Sequence, residues 1–330
     1  MFKKMTSTIL AAATGITLAM AGSAFAVDKV KIVVGGGAPF WDTNMIALAI
    51  KNGLFADAGI EPELLSARGG GDILRVLLAS EADLAAGVGV LSILAANEAG
   101  APIKIIGNEM NTPYDLRWYV KGDSPINSLK DMAGKTLAYS SPGSSTNMVG
   151  LSLRQTLIDD GLEPLELVST GGFSDTMTAI LSGQVDAGFT ALPFLHDKVL
   201  KGEIKYAIAG SDAKGFNGVT TRAYVANQKF LDERRDLAVK IMNIVQTTID
   251  WAYANPEEAK GLLAAGLKID MANMPAIENE IPPAALNLSN LGGMDKSVAT
   301  ALEHDFISKD LTGDDLAALI DMSVVADASK

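Results

Sequence analysis

Residues 72–86 read DILRVLLASEADLAA, and residues 175–189 read DTMTAILSGQVDAGF. In each stretch an aspartate opens a run with apolar residues at helical spacing, a leucine follows, and a second aspartate precedes a short apolar run. The first part is typical of an amphipathic helix, and the second is typical of a buried strand. The same helix-strand unit therefore occurs twice, 103 residues apart.

Two further pairs of segments recur, one at a spacing of 103 residues and one at 102. Thr43-Asn44-Met45 recurs as Thr146-Asn147-Met148, and Gly59-Ile60-Glu61-Pro62 recurs as Gly161-Leu162-Glu163-Pro164. A period near one hundred residues is much longer than the roughly 20–50 residues of a solenoid repeat. The sequence therefore predicts a duplicated lobe.

Short β-branched or apolar runs alternate with helical stretches over the first two thirds of the chain, and the rest is mostly helical. This alternation favours an α/β fold with parallel sheets covered by helices. The predicted strands are Val30–Val34, Glu63–Leu65, Leu84–Ala86, Lys104–Ile106, Arg117–Val120, Thr136–Tyr139, Glu166–Val168, Val185–Phe189 and Lys205–Ala209. The predicted helices are Asn44–Lys51, Asp72–Ala79, Ser92–Ala96, Asn147–Ile158, Asp175–Leu181, Leu231–Ala254, Pro256–Gly266 and Lys296–Ile320, with further helix after Pro275.

The first 26 residues have the layout of a cleavable secretory signal. Lys3 and Lys4 precede an apolar run over Ile9–Met20, and Ala24-Phe25-Ala26 follows. The run is shorter than the roughly 20 residues that a membrane span needs. The chain contains no cysteine, so it cannot be a lipoprotein that is acylated on cysteine. We expect an exported periplasmic protein whose signal, residues 1–26, is removed after Ala26.

Composition argues against several classes of function. The chain has 39 acidic and 27 basic residues and a formal net charge of −12, which disfavours nucleic acid or anionic lipid as a partner. The absence of cysteine excludes thiolate nucleophiles and cysteine-bound metals. The two histidines, His196 and His304, stand in no recognisable catalytic motif. We therefore expect no enzymatic activity, no cofactor and no bound metal.

Two loops predict where a ligand binds. Residues 35–39 (GGGAP) and 140–145 (SSPGSS) each lead from a predicted strand into a helix that opens near a Thr-Asn pair. Ligands of open α/β sheets bind at the carboxyl ends of strands, and helix N-termini there offer free N–H groups. The two loops would form a clamp for a small anion or a carbonyl-rich neutral molecule. Alternatively, the hydroxyl residues are ordinary helix caps.

Four segments resemble a known family. They are IALAIKNGLFADAGI (46–60), ASEADLA (79–85), SPINSLKDMAGKT (124–136) and LSGQVDA (181–187). They are similar to periplasmic solute-binding proteins of ABC importers of the nitrate, sulfonate, taurine and thiamine-precursor group. The resemblance implies a type II periplasmic-binding fold, in which two similar three-layer α/β lobes are joined by two crossover segments with a ligand cleft between them. Lobe 1 would comprise 27–112 and 228–330 with the C-terminal helices, and lobe 2 would comprise 113–227.

The resemblance also implies a set of ligand contacts at the cleft. They are Phe40, Trp41, Thr43, Asn44, Arg68, Gly69, Gly87, Val88, Ser141, Ser144, Ser145, Thr146, Asn147 and Thr190. Arg68 beside three glycines could pair with a carboxylate or sulfonate, or it is a surface arginine on a loop. Phe40 and Trp41 could stack on a planar molecule such as a pyrimidine, but we expect at least one of them to pack in the core under the loop.

The expected function is that of a monomer which closes on a small organic anion and delivers it to an ABC permease and its ATPase at the inner membrane. The alternatives are a binder of a neutral planar molecule, a ligand-sensing module and an enzyme with a related fold.

Overall fold

The computed structural model describes residues 27–35, 41, 45–67, 69–311 and 313–328, so the expected signal lies outside the described residues. The strands are β1 (Asp28–Gly35), β2 (Ile60–Ala67), β3 (Leu84–Gly89), β4 (Ile103–Asn111), β5 (Leu116–Lys121), β6 (Thr136–Tyr139), β7 (Glu166–Ser169), β8 (Gly188–Ala191), β9 (Ile204–Ala209) and β10 (Thr220–Asn227). The helices are α1 (Met45–Lys51), α2 (Leu54–Asp57), α3 (Gly70–Leu78), α4 (Val90–Glu98), α5 (Ser145–Asp159), α6 (Phe173–Ser182), α7 (His196–Leu200), α8 (Gln228–Ala254), α9 (Pro256–Leu267), α10 (Ile277–Glu280), α11 (Pro283–Leu286), α12 (Met294–Glu303), α13 (Asp314–Leu319) and α14 (Ser323–Ala328). None of these helices is both long enough and apolar enough to cross a membrane.

A five-stranded sheet with the order β2-β1-β3-β10-β4 forms the centre of lobe 1. β1 runs parallel to β2 and β3, but β10 runs antiparallel to both of its neighbours. β10 enters the sheet beside the end of β3, where Arg222 pairs with Gly89, because the chain returns there from the other half of the molecule. By its hydrogen bonds this strand belongs to lobe 1, although its residues fall in the range expected for lobe 2.

Lobe 2 contains a three-stranded antiparallel sheet with the order β8-β5-β9 and a parallel pair of β6 and β7. A bridge between Leu137 and Ala187 connects the two groups of strands. The parallel pairs that the sequence predicted are therefore accompanied by antiparallel ones. β5 and β10 follow the two segments that cross between the lobes. Each of these strands enters its sheet from the cleft end and is antiparallel to its neighbours.

The duplicated unit is present in both lobes. The elements β2, α3 and β3 correspond in order and spacing to β7, α6 and β8. A carboxylate oxygen of Asp83 accepts a hydrogen bond from the Lys31 N–H at 2.9 Å, and Asp186 accepts one from the Thr136 N–H at the same distance. Each repeated aspartate thus ties the segment before the last strand of its unit to another strand of its lobe, β1 for Asp83 and β6 for Asp186.

The C-terminal helices return to lobe 1, as the resemblance implies. α8 packs against α1 and α14, α11 packs against β4, and Ile320 forms a bridge with Ile105. The predicted helix Lys296–Ile320 is instead two helices, α12 and α13. Between them the Ser308 and Lys309 N–H groups donate to Glu98 at 2.9 Å, which lowers the pKa of that carboxyl. These bonds to α4 compete with continued helix.

The most specific segment of the family resemblance, residues 124–136, is structural. Asp131 accepts from the Asn127 N–H at 2.9 Å and from the Ser128 N–H at 3.0 Å, and these bonds lower the pKa of its carboxyl. Together with Ser128 it forms the capping box of a short 3-10 helix that leads into β6. The motif therefore shapes the turn of lobe 2 that leads into β6.

Candidate functional site

A cavity lies between the two lobes, at the carboxyl ends of strands of lobe 1 and the N-termini of α3, α5 and α6. Its empty volume, including the solvent at its mouth, is about 560 Å³. The residues that line it are Gly35, Gly69, Gly70, Ile73, Gly87, Asp115, Leu116, Ser140, Ser144, Ser145, Thr146, Phe173, Phe189, Ala191 and Arg222. Both lobes contribute, so any ligand held there would contact both of them.

The wall from lobe 1 is largely backbone. Gly69 is the N-cap of α3, and Gly70 begins the helix. Gly87, at the end of β3, has a φ of +87°, a conformation that favours glycine. The Gly87 N–H donates to a carboxylate oxygen of Glu109, a buried residue of β4. Glycines without side chains let a ligand approach this backbone closely.

The wall from lobe 2 is rich in hydroxyl groups, most of which hold their own loop. The Ser144 Oγ accepts from the Asn147 N–H at 3.2 Å as the N-cap of α5, and the Thr146 Oγ1 accepts from the Ser140 N–H at 3.0 Å. The Asn147 Oδ1 accepts from the Gly143 N–H at 2.9 Å. The capping alternative is thus correct for Ser144, and the further hydroxyls shape the loop that faces lobe 1.

A buried ion pair stands at the junction of the lobes. A terminal nitrogen of Arg222, on β10, lies 2.7 Å from a carboxylate oxygen of Asp115, which precedes β5, and their side chains are 8% and 1% exposed. The other terminal nitrogen of Arg222 donates to the Ser145 Oγ at 3.3 Å. The pair carries no net charge, but it places a guanidinium, a carboxylate and a hydroxyl at one end of the cavity.

Apolar side chains line the rest of the cavity. Phe173 and Phe189 pack with their ring centroids 5.1 Å apart, and Ile73, Leu116 and Ala191 complete this surface. A ligand with one polar end and one apolar or planar part matches this division.

Five of the ligand contacts implied by the resemblance line the cavity: Gly69, Gly87, Ser144, Ser145 and Thr146. Ser141 lies in an adjoining groove between the lobes, where its Oγ accepts from the Gly71 N–H. Four of the contacts, Phe40, Thr43, Asn44 and Arg68, lie outside the described residues.

The remaining four implied contacts are buried beside the cavity and do not line it. Trp41 is fully buried, and its Nε1 donates to the Tyr253 hydroxyl of α8 at 3.2 Å. Val88 lies in the apolar core, and the Thr190 Oγ1 donates to the Phe194 carbonyl at 3.1 Å. Asn147 braces its loop from within, as described above. Trp41 thus packs in the core, the alternative that was expected for at least one of Phe40 and Trp41.

Arg222, Asp115, Phe173 and Phe189 line the cavity but were not predicted from the sequence. A signal for Arg222 exists in the segment TTRAYVA (220–226), because an arginine in a strand of mostly buried residues needs a partner. The partner, Asp115, is 107 positions away and cannot be identified from spacing. The two phenylalanines resemble any other core residues in the sequence.

A family model described as NMT1/THI5 like matches residues 42–259, well over half of the sequence. The chain belongs to the NMT1/THI5-like family. Among curated relatives, a protein of Brucella abortus described as a binding protein is 22% identical over 277 residues, which cover 79% of each chain. The 4-amino-5-hydroxymethyl-2-methylpyrimidine phosphate synthase of Candida albicans is also 22% identical, over 65% of this chain and 64% of the enzyme.

Solved structures share the fold of this NMT1/THI5-like chain. The periplasmic aliphatic sulphonate binding protein SsuA from Escherichia coli superposes with a TM-score of 0.65 at 20% identity, covering 89% of this chain and 92% of SsuA. The periplasmic nitrate-binding protein NrtA from Synechocystis PCC 6803 has a TM-score of 0.67 at 13% identity, covering 92% and 88%. The expected periplasmic-binding fold is thereby confirmed.

Proposed function

We propose that the chain is the periplasmic solute-binding component of an ABC-type import system and that it captures a small organic anion between its lobes. The observation that carries the proposal is a cavity lined by both lobes, with the N-termini of α3 and α5 on opposite walls. Contacts to both lobes would make a solute bind the closed form more tightly than the open form, which is what couples capture to closure. A permease with its ATPase would receive the loaded protein.

An anionic head group is supported by the donors at the polar end of the cavity. The Arg222 guanidinium, which is paired with Asp115, and the Ser145 hydroxyl in the first turn of α5 both line the cavity. N–H groups at a helix start and a guanidinium both favour a carboxylate or sulfonate. The apolar part of such a solute would lie against Phe173 and Phe189.

A neutral planar solute such as a pyrimidine is the second candidate. Two observations favour it: Asp115 already neutralises Arg222, and two aromatic rings line the cavity. The similarity to a pyrimidine phosphate synthase agrees with a heterocyclic ligand. Catalysis finds less support, because neither His196 nor His304 lines the cavity and the chain has no cysteine.

A thermal-shift screen over alkanesulfonates, carboxylates and pyrimidines tests the proposal. A ligand that binds only the folded chain stabilises it by about 2.7 kcal/mol at one hundred times its Kd, which corresponds to several degrees in Tm. We expect an anion to give the largest shift, and a shift by pyrimidines alone would select the second candidate. Mass spectrometry of the recovered ligand would reveal turnover, which binding alone does not produce.

The Ser145→Ala variant locates the site. Loss of a hydroxyl that bonds a charged group should weaken binding of the best anion by about tenfold. Ser152→Ala is the matched control, because Ser152 is on the same helix but its Oγ donates to the Lys214 carbonyl outside the cavity. Equal affinities of the two variants, or no shift from any compound class, would contradict the proposed site.

A further inference from the structure

Two helices of lobe 1 begin without a capping side chain of their own. The N-cap of α3 is Gly69 and the N-cap of α4 is Gly89, and neither helix start has a side-chain cap. The first N–H groups of a helix have no partner within it, so a cap or water has to accept from them. At α5, by contrast, Ser144 supplies this acceptor from within its own lobe.

Lobe 2 supplies the acceptors that α3 and α4 lack. The Gly71 N–H, in the first turn of α3, donates to the Ser141 Oγ at 3.3 Å. The Ser92 N–H, in the first turn of α4, donates to the Gly143 carbonyl at 3.1 Å, and the Ser92 Oγ donates to the Pro142 carbonyl at 3.4 Å. One short loop, residues 141–143, thus caps two helices of the opposite lobe.

The fit of this loop requires glycine where the lobes meet. A Cβ on Gly89 would lie 2.5 Å from the Gly143 carbonyl oxygen and 2.7 Å from the Ser144 Cα, both of which are backbone atoms. Gly89 itself has φ −66° and ψ 135°, which any residue adopts. Glycine is therefore required at position 89 because of the close contact with lobe 2, and not because of its own backbone conformation.

We propose that residues 141–143 form an interlobe latch, which caps α3 and α4 in the closed form and leaves their first N–H groups to water when the lobes separate. Ser141, Pro142 and Gly143 do not line the cavity, so the latch stabilises closure independently of solute contacts. The inference rests on the lobe movement of the proposed function but on no particular solute. The latch sets how much of the ligand-free chain is closed, and hence how strongly a given solute binds.

A cysteine pair across the latch reports closure; it removes the Ser141 Oγ acceptor of α3 and keeps the two bonds from Ser92 of α4 to the loop. The Cβ of a residue at position 71 would lie 3.6 Å from the Ser141 Cβ, within the range for a disulfide, and the natural chain has no cysteine that could interfere. In the ligand-free Gly71→Cys/Ser141→Cys chain under mild oxidation, we expect rapid intramolecular cross-linking. Non-reducing electrophoresis and thiol titration would follow it.

Adding Gly89→Ala to this pair should slow cross-linking by at least about tenfold, because the methyl group prevents the loop at Gly143 from packing against the start of α4. Gly261→Ala is the matched control, since a Cβ there has no atom within 4 Å. If Gly89→Ala impairs folding, as judged by circular dichroism, Ser92→Ala tests the latch from α4, because it removes the Oγ bond to the Pro142 carbonyl and should also slow cross-linking.

Equal cross-linking rates in the Gly89→Ala and Gly261→Ala backgrounds would overturn the latch, and so would a parent pair that never cross-links. Because no solute is present, these results are separate from the ligand screen. A screen without hits would count against the proposed function and leave the cross-linking result intact.

Discussion

The ion pair between Arg222 and Asp115 can be tested by removing each charge separately and then both. Arg222→Met leaves the Asp115 carboxylate, 1% exposed, without a guanidinium 2.7 Å away. A buried charge whose partner is removed destabilises a fold by about 3–5 kcal/mol. Asp115→Asn should cost a similar amount, because the Arg222 side chain is only 8% exposed. The double variant leaves neither charge, so we expect it to be more stable than the sum predicts, by about 2 kcal/mol or more.

Urea unfolding of the three variants and the natural chain, followed by circular dichroism, gives these free energies. Lys214→Met is the control, because the Lys214 and Asp160 side chains are 57% and 33% exposed and an exposed pair contributes at most about 1 kcal/mol. A loss of unfolding free energy in Arg222→Met no larger than that in Lys214→Met would contradict a buried ion pair. Additive effects of the two single changes would also contradict it, since the charges would then not interact in solution.

Trp41→Ala should lower the free energy of unfolding by about 3–5 kcal/mol in urea titrations, since the buried ring packs edge-on against Tyr253, whereas Trp41→Phe should cost clearly less. Asp83→Ala and Asp186→Ala should each cost about 1–3 kcal/mol and agree within a factor of two, because both remove an acceptor from a strand N–H; widely different values would contradict equivalent roles. Burial lowers the pKa of His196, so its contribution to stability is present above about pH 6.5 and is lost as the pH falls through the lowered pKa. A His196→Gln chain should therefore lose less stability than the natural chain between pH 7 and 5, as measured by Tm.

Local patterns predicted most of the elements of the fold. The nine predicted strands all coincide with observed strands, although the strand predicted at Val185–Phe189 is observed at Gly188–Ala191. The shift arises because Asp186 bonds back to Thr136 and the ladder to β5 starts only at Gly188. β10, by contrast, was not among the predicted strands, since nothing local tells a crossover strand from a member of a sheet.

The candidate site was predictable where one loop builds it. The glycine and serine loops at Gly69, Gly87 and Ser144–Thr146 line the cavity, and all of them follow strands or begin helices. The acid and base of the ion pair were not predicted, because Asp115 and Arg222 meet only after both crossings have formed. Trp41 illustrates the opposite case, in which an aromatic residue beside a clamp loop is held in the core by a helix more than 200 positions away.

Local sequence was sufficient to predict the duplicated unit, the alternation of strands and helices and the glycine and hydroxyl loops, because each depends on residues that are close along the chain. The tertiary structure alone decided which lobe receives β10, which charges pair, and which loop caps α3 and α4. Those features depend on hydrogen bonds and close contacts between residues far apart in sequence, such as Gly89 against Gly143. No period or spacing in the sequence indicates such contacts. They form only when the two lobes fold against each other.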